Sequence, residues 1–327
     1  MVAQHPHSTP QDFRASTLAT ARQLLLQALL VAVLVGSASA VMVRLLPGDI
    51  AFQIAGGRYG PDMTTAEAAA AIRSELGLDR PAWQAWATWL TALARLDLGR
   101  SYSLGRPVVE LVTTQLGQTI VLSIAALIIS MLGGLPVGLL AGLRPGGRFD
   151  RVALAGSVML RAIPPFVIGI MLVTVFAVHL QWLPAAGHTD RGAILLPAVT
   201  LAIGLAAVSS RVTRTATVDV AGSEFFRFSR TKGLSVPRLV LAHGVRNAAV
   251  PVIAHLGMQL VFLIEGVIVV ETLFAWPGIG HALSHAVSER DVPMIQGTVL
   301  AMALLFIVLN AMVDLVVLAV DPRLRQR

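Results

Sequence analysis

Six long apolar stretches, separated by charged loops, limit what this chain can fold into. They run approximately over Leu24–Val43, Thr119–Leu143, Val152–Leu180, Ala193–Val208, Val252–Phe274 and Gly297–Val320, the fourth being short and carrying Gly204. Crossing the hydrocarbon core of a bilayer takes about 20 mostly apolar residues in a helix. No water is available there, so every backbone N–H and C=O must be satisfied within the segment, which selects helices. The sequence therefore predicts an all-α integral membrane protein with six transmembrane helices. Composition agrees: 55% of the 327 residues are hydrophobic and only 13% are charged, where soluble domains carry about 25% charged residues. The chain has no cysteine, which excludes disulfides, thiolate metal sites and a cysteine nucleophile.

Charge sets the orientation. With the N-terminus inside, the inner segments hold Arg14 and Arg22, then Arg144, Arg148 and Arg151, then seven cations between residues 211 and 251, then Arg323, Arg325 and Arg327. The short outer loops hold only Arg191 and Arg290. Cationic loops stay in the cytoplasm, so both termini are expected to be cytoplasmic. The net charge of +7 is explained by this topology, and no nucleic-acid partner is expected.

The expected organisation is a cytoplasmic tail (1–22), a first transmembrane helix (23–46), a large first extracytoplasmic loop (47–118), a five-helix core (119–320) and a short cytoplasmic tail (321–327). Ala38-Ser39-Ala40 resembles a signal-peptidase site, but the apolar run continues to Val43, which favours an uncleaved anchor helix. In the outer loop, Ala66–Leu76 is rich in helix formers behind a Thr64/Thr65 cap. Trp83, Trp86 and Trp89 follow at helical spacing. They suit either the membrane interface or the loop's own small core.

The cytoplasmic loop 211–251 has an architecture beyond its charge. The fourth helix is expected to run on from Arg211 to Lys232, until Gly233 stops it in a left-handed cap. Ser235 is a good N-cap and Pro237 suits a first helical turn. A short helix over Val236–Gly244 then presents Leu239, Val240 and Leu241 beside Arg238, before Pro251 opens the fifth transmembrane helix. A short rigid helix between two spans can carry force from a cytoplasmic partner into the membrane.

Chemistry-bearing motifs are missing from the sequence. There is no G-x-x-x-x-G-K-[ST], no H-E-x-x-H and no G-x-S-x-G, and the eight His are scattered. No catalytic residues, metal site or cofactor are assigned to this chain, and any nucleotide chemistry must occur on another one. Charges within the spans carry functional weight by default. Glu265, near the middle of the fifth, is expected to face a translocation path or a polar helix neighbour. Glu271 precedes Trp276-Pro277-Gly278, a turn that suits an outer gate or a structural re-entrant loop. Arg161 stands before Pro164-Pro165, where prolines kink the helix; it lines the resulting cavity or snorkels to the surface.

The cytoplasmic loop resembles the EAA loop of ABC-importer permeases, in the group that serves dipeptides, oligopeptides and nickel. That group reads E/D-Y-V-R-x-A-R-A-K-G-L-S, then R-N-A-x-x-P. Here the residues are Glu224, Phe225, Phe226, Arg227, Phe228, Ser229, Arg230, Thr231, Lys232, Gly233, Leu234 and Ser235, then Arg246-Asn247-Ala248 and Pro251. Phe226, Phe228 and Ser229 depart from the group's small or aliphatic residues. Leu46-Pro47-Gly48-Asp49, Asp97-Leu98-Gly99-Arg100-Ser101, Ile163-Pro164-Pro165-Phe166 and the run Val270–Gly280 (VETLFAWPGIG) extend the resemblance over nearly the whole chain. Asp291, Pro293, Gln296-Gly297 and Asp321-Pro322-Arg323 complete it.

The resemblance implies a non-catalytic permease subunit in a bacterial or archaeal plasma membrane. Its partners would be a second homologous permease, two cytoplasmic ATPase domains that bind ATP and Mg, and an extracytoplasmic binding protein. Glu224, Arg227, Arg230, Lys232, Gly233, Leu234, Ser235, Arg238, Leu239, Val240 and Leu241 would couple to the ATPase. A di- or oligopeptide is the expected solute, with nickel or glutathione as alternatives. A stand-alone secondary transporter or channel is the reading from a different class; it leaves the cytoplasmic loop unexplained.

Overall fold

In the computed structural model the described residues are 22, 26–38, 41, 48–60, 64–77, 79–190, 192–224, 228, 252, 255, 257–259, 263 and 266–320. Their regular secondary structure is helical, with one isolated antiparallel bridge between Arg100 and Pro107 and no named strand among them. The helices are α1 (Leu26–Ala38), α2 (Ile50–Tyr59), α3 (Ala66–Leu76), α4 (Ala82–Ala94), α5 (Val108–Leu143), α6 (Arg148–Ala162), α7 (Pro165–Leu172), α8 (Leu195–Gly222), α9 (266–273), α10 (Ile279–Ser288) and α11 (Val292–Val320). The chain divides into two units, Met1–Glu110 with Ala286–Ile307, and Leu111–His285 with Val308–Arg327.

In the first unit, Asp49 caps α2 by accepting from the Ala51 N–H at 2.9 Å. Thr65 caps α3 through the Ala68 N–H, and Gly77 ends it in the left-handed region. Ala51, Ile54, Ala55, Ala69 and Ile72 form the small core between these helices. The tryptophans of α4 divide. Trp86 donates its indole N–H to the Ser37 hydroxyl at 3.0 Å, and Trp89 lies against Gly36 of α1. Trp83 is exposed.

In the second unit, α8 is the central helix: half of its most apolar window is buried, against 22% for α5. Its core comprises Leu196, Ala198 and Leu201 packed with Leu122 and Ala126 of α5 and with Val267, Val270, Phe274 and Trp276. The other side of α5 exposes Ile124, Ile128 and Leu132. An apolar face of this kind is costly in water and costs nothing against lipid.

Among the described residues three helices are long and apolar enough to cross a membrane, α5, α8 and Val292–Val313 of α11, or four if the bent pair Arg148–Ala162 and Pro165–His179 counts as one broken span. The sequence expectation needs correction at several boundaries. The third apolar stretch is not one helix. It bends by 98° between α6 and the Pro165–His179 segment, and residues Val173–His179 widen into a π-helix. Pro164 and Pro165 supply no amide hydrogens and disfavour a helical residue before them, and Ile163 is extended (φ −82°, ψ 125°). The second stretch begins earlier, at Val108, and the last at Val292. The fourth helix does pass its expected membrane exit, but ends at Gly222 rather than Lys232. Ser223 is extended there, and its hydroxyl bonds back to the Val220 carbonyl at 2.6 Å.

Candidate functional site

Two clusters in the second unit organise its helix ends. The first surrounds Glu271. Helix α9 ends at residue 273, and Ala275 takes a left-handed conformation (φ 47°) that turns the chain. The Trp276 N–H closes the turn on the Glu271 carbonyl at 2.9 Å. Pro277 and Gly278 then lead into α10. The Glu271 carboxylate is wholly buried and lies over the start of α10. It accepts from the Gly280 N–H at 2.7 Å and the His281 N–H at 3.4 Å. A helix N-terminus offers free N–H groups and a positive dipole end, so an acidic side chain is favoured there.

Thr119 of α5 completes this cluster. Its hydroxyl donates to Glu271 Oε1 at 2.6 Å and accepts from the Ile279 N–H at 2.8 Å. The Trp276 indole N–H reaches the Gln118 carbonyl at 3.1 Å. Gly278 is required at its position, because a Cβ would come within 1.9 Å of Glu271 Oε1. One threonine, one glutamate and one tryptophan thus join α5, α9 and α10.

The second cluster lies at the other end of α5. Gly134, Gly138 and Gly142 recur every four residues on the face that meets α8. At Gly138 a Cβ would stand 2.3 Å from the Ser210 carbonyl oxygen, so the two backbones touch. Just beyond, the turn into α6 brings Asp150 onto Arg214 of α8. Asp150 Oδ2 accepts from Arg214 Nη2 at 2.7 Å and from the Gly146 N–H at 2.8 Å. The Arg214 Nε–H donates to Oδ1. The Asp150 side chain is 2% exposed and that of Arg214 23%; a bidentate geometry of this kind fixes direction as well as distance.

Between α8 and the helix that follows the loop, Gln259 is buried. Its amide donates to the Leu205 carbonyl at 3.0 Å, and its amide oxygen accepts from the Ser209 hydroxyl at 3.1 Å.

The structure brings Glu271, Trp276, Pro277 and Gly278 into one knot and places Arg161 apart from them, exposed in the last turn of α6. Glu224 is helical and exposed, just beyond the end of α8. Arg227, Arg230, Lys232, Gly233, Leu234, Ser235, Arg238, Leu239, Val240, Leu241 and Glu265 lie outside the described residues. Sequence reasoning missed Thr119, Asp150 and Gln259. The signal for Asp150 was present as an acid among Arg144, Arg148 and Arg151, opposite Arg214 on the helix that leads into the loop. Among the described residues no group of three metal-ligating side chains comes together.

Comparison with known proteins now bears on this architecture. Residues 134–326 match the family described as "Binding-protein-dependent transport system inner membrane component". The chain is 38% identical over 299 residues to the "Glutathione transport system permease protein GsiC" of Salmonella choleraesuis (strain SC-B67), covering 91% of this chain and 95% of that protein. It is 36% identical over 287 residues to the protein of the same name in Escherichia coli (strain K12), covering 88% and 92%. Among solved structures it resembles a chain of the MetNI methionine ABC transporter in inward-facing conformations. That likeness has a TM-score of 0.54 at 18% identity and covers 65% of this chain and 97% of that one; it speaks for the fold alone. The chain belongs to the binding-protein-dependent transport system inner membrane component family and is a permease subunit of an ABC importer.

Proposed function

We propose that this chain imports a peptide-like solute of the glutathione class across a bacterial inner membrane. Similarity to the GsiC proteins over nearly the full length of both chains carries this reading. The full topology is six spans with both termini cytoplasmic and the large loop 47–118 outside, where a binding protein delivers the solute. A second homologous permease lies alongside in the membrane. Two cytoplasmic ATPase domains bind ATP and Mg and perform all the hydrolysis, this chain being non-catalytic.

Loop 211–251 receives the ATPase through its short helix, with Arg238, Leu239, Val240 and Leu241 in the groove and Gly233 as the hinge before it. Glu224, Arg227, Arg230 and Lys232 supply the charged approach, and Leu234 and Ser235 start the helix. ATP favours the closed ATPase pair, and the loop passes that preference to the helix bundle. A ligand shifts a conformational equilibrium only by its differential affinity for the two states, and here that ligand is ATP. Glu265 lines the path. Glu271, Trp276, Pro277 and Gly278 hold the outer turn beside it, and Arg161 contacts the membrane surface.

The test is uptake by the complete complex in proteoliposomes, supplied with its binding protein and ATP. Labelled glutathione, a labelled dipeptide and nickel ion are offered separately. ATP-dependent accumulation of glutathione supports the solute assignment. Accumulation of nickel ion or of the dipeptide, without glutathione, rejects it.

A further inference from the structure

The α5–α6–α8 corner supports an inference about how the coupling loop moves the bundle; it rests on the coupling-loop reading given above. Helix α8 ends at Gly222, within the segment 211–251, and Arg214 lies two turns before that end, about 12 Å at 1.5 Å per residue. At that level α8 is held from two sides. Asp150 grips Arg214 from the first turn of α6, while its Gly146 bond ties the α5–α6 turn to the same carboxylate. On the α5 side, Gly134, Gly138 and Gly142 lie on α8 over three successive turns, each close enough that a Cβ would meet an α8 carbonyl oxygen within 3 Å. Backbones in contact along the seam and a two-pronged ion pair resist relative slip, and elements packed in this way transmit strain.

We propose that Asp150 and Arg214 are positioning residues for transport: their ion pair makes the end of α8, the end of α5's glycine seam and the start of α6 one rigid body, so that a push on the loop turns three helices together. Without the pair, α8 would move and α6 would lag.

The absence of cysteine from the chain makes the test direct. Cysteines are introduced at Met159 of α6 and Asp219 of α8, both exposed, and carry spin labels in the assembled importer. In the otherwise unaltered chain the distance between them stays within about 2 Å on passing from the nucleotide-free state to the ATP–vanadate-trapped state. In Asp150→Asn it shifts or broadens by about 5 Å or more, the scale of a one-turn slip. ATPase subunits still co-purify with Asp150→Asn and hydrolyse ATP at a rate within about twofold, while glutathione uptake falls by about tenfold or more.

Arg214→Lys, which keeps the charge and loses the two-pronged contact, gives an intermediate spread and serves if Asp150→Asn does not assemble. An unchanged distance and unchanged uptake in Asp150→Asn or Arg214→Lys would overturn the proposal while leaving the coupling loop intact. Loss of ATPase binding by the unaltered chain would instead defeat the coupling-loop reading. The spin-label distance does not depend on which solute is carried.

Discussion

Thr119 and Glu271, 152 residues apart in sequence, share a buried hydrogen bond of 2.6 Å, and the same threonine hydroxyl accepts the N–H that opens α10. The threonine is therefore donor and acceptor at once, at a point where the end of α9 and the start of α10 meet α5. Replacing it with valine keeps the shape and removes both bonds. A buried polar group left without its partner costs about 1–3 kcal/mol. Thr119→Val is expected to lower the melting temperature of the detergent-purified protein by several degrees. Thr119→Ser, which retains the hydroxyl, is expected to stay near the parent value. Equal melting temperatures for the valine and serine variants would mean that the bond contributes nothing.

The glycine seam gives a prediction of opposite chemistry. Gly138→Ala would place a methyl group 2.3 Å from the Ser210 carbonyl oxygen, and overpacking of this sort costs about 1–3 kcal/mol. Gly156→Ala, in α6 with open space around it, gains helix propensity and is expected to be neutral or stabilising by a few tenths up to about 1 kcal/mol. Thermal unfolding of the two variants side by side makes the comparison. A neutral Gly138→Ala would mean that α5 and α8 lie further apart than described.

In the first unit Asp291 caps α11 through the Met294 N–H at 3.2 Å. It also accepts from the Ser101 hydroxyl and from both the N–H (3.2 Å) and hydroxyl (3.0 Å) of Ser103. One buried carboxylate thus fixes the small turn that runs from Gly99 to Val108. Asp291→Ala is expected to raise hydrogen exchange across residues 99–108 by about tenfold, a loss of about 1.4 kcal/mol of local protection. Protection unchanged there would show that the Arg100–Pro107 bridge suffices alone.

Acid should loosen the same unit at another point. Burial raises the Asp49 carboxyl's pKa, but the Ala51 N–H and the Arg73 guanidinium outweigh it and hold it below 3.8. A carboxylate depressed on folding contributes stability that is fully present above its unfolded pKa and is lost as pH falls through the folded one. The α2–α3 contact is expected to weaken only below about pH 4. Asp49→Asn should flatten that pH dependence when amide protection across α2 and α3 is followed by hydrogen exchange. A dependence identical to the parent's would assign it to other carboxylates.

Much of this was legible in the sequence because apolar runs and cationic loops obey strong, local rules. The Pro164-Pro165 kink, the threonine cap before Ala66 and the passage of α8 beyond the apolar stretch all follow from residues adjacent in sequence. The joints were harder to see, since each unites residues far apart. Thr119 looked like the polar start of an apolar run, and nothing local marks it as the partner of Glu271. Gly134, Gly138 and Gly142 read as ordinary small residues of a membrane helix until α8 lies against them. The end of α8 was misplaced because Gly233 is the stronger helix breaker, whereas Ser223 ends the helix by bonding back to Val220. Glu271 and the Trp276-Pro277-Gly278 turn lie close together in sequence, yet their mutual contacts needed three dimensions.

ATP hydrolysed on partner subunits is proposed to drive this chain through loop 211–251. The most direct measurement compares the parent chain with Gly233→Asp, and with alanine at Arg238, Leu239, Val240 and Leu241 together, in reconstituted complexes. Co-purified ATPase, ATP hydrolysis and solute accumulation are followed in the same preparation. The parent is expected to recover ATPase and to accumulate solute only with ATP. The loop variants would either lose the ATPase or hydrolyse ATP with uptake reduced by about tenfold or more, a coupling change of at least about 1.4 kcal/mol. Parent-level ATPase recovery and parent-level uptake in both loop variants would contradict it.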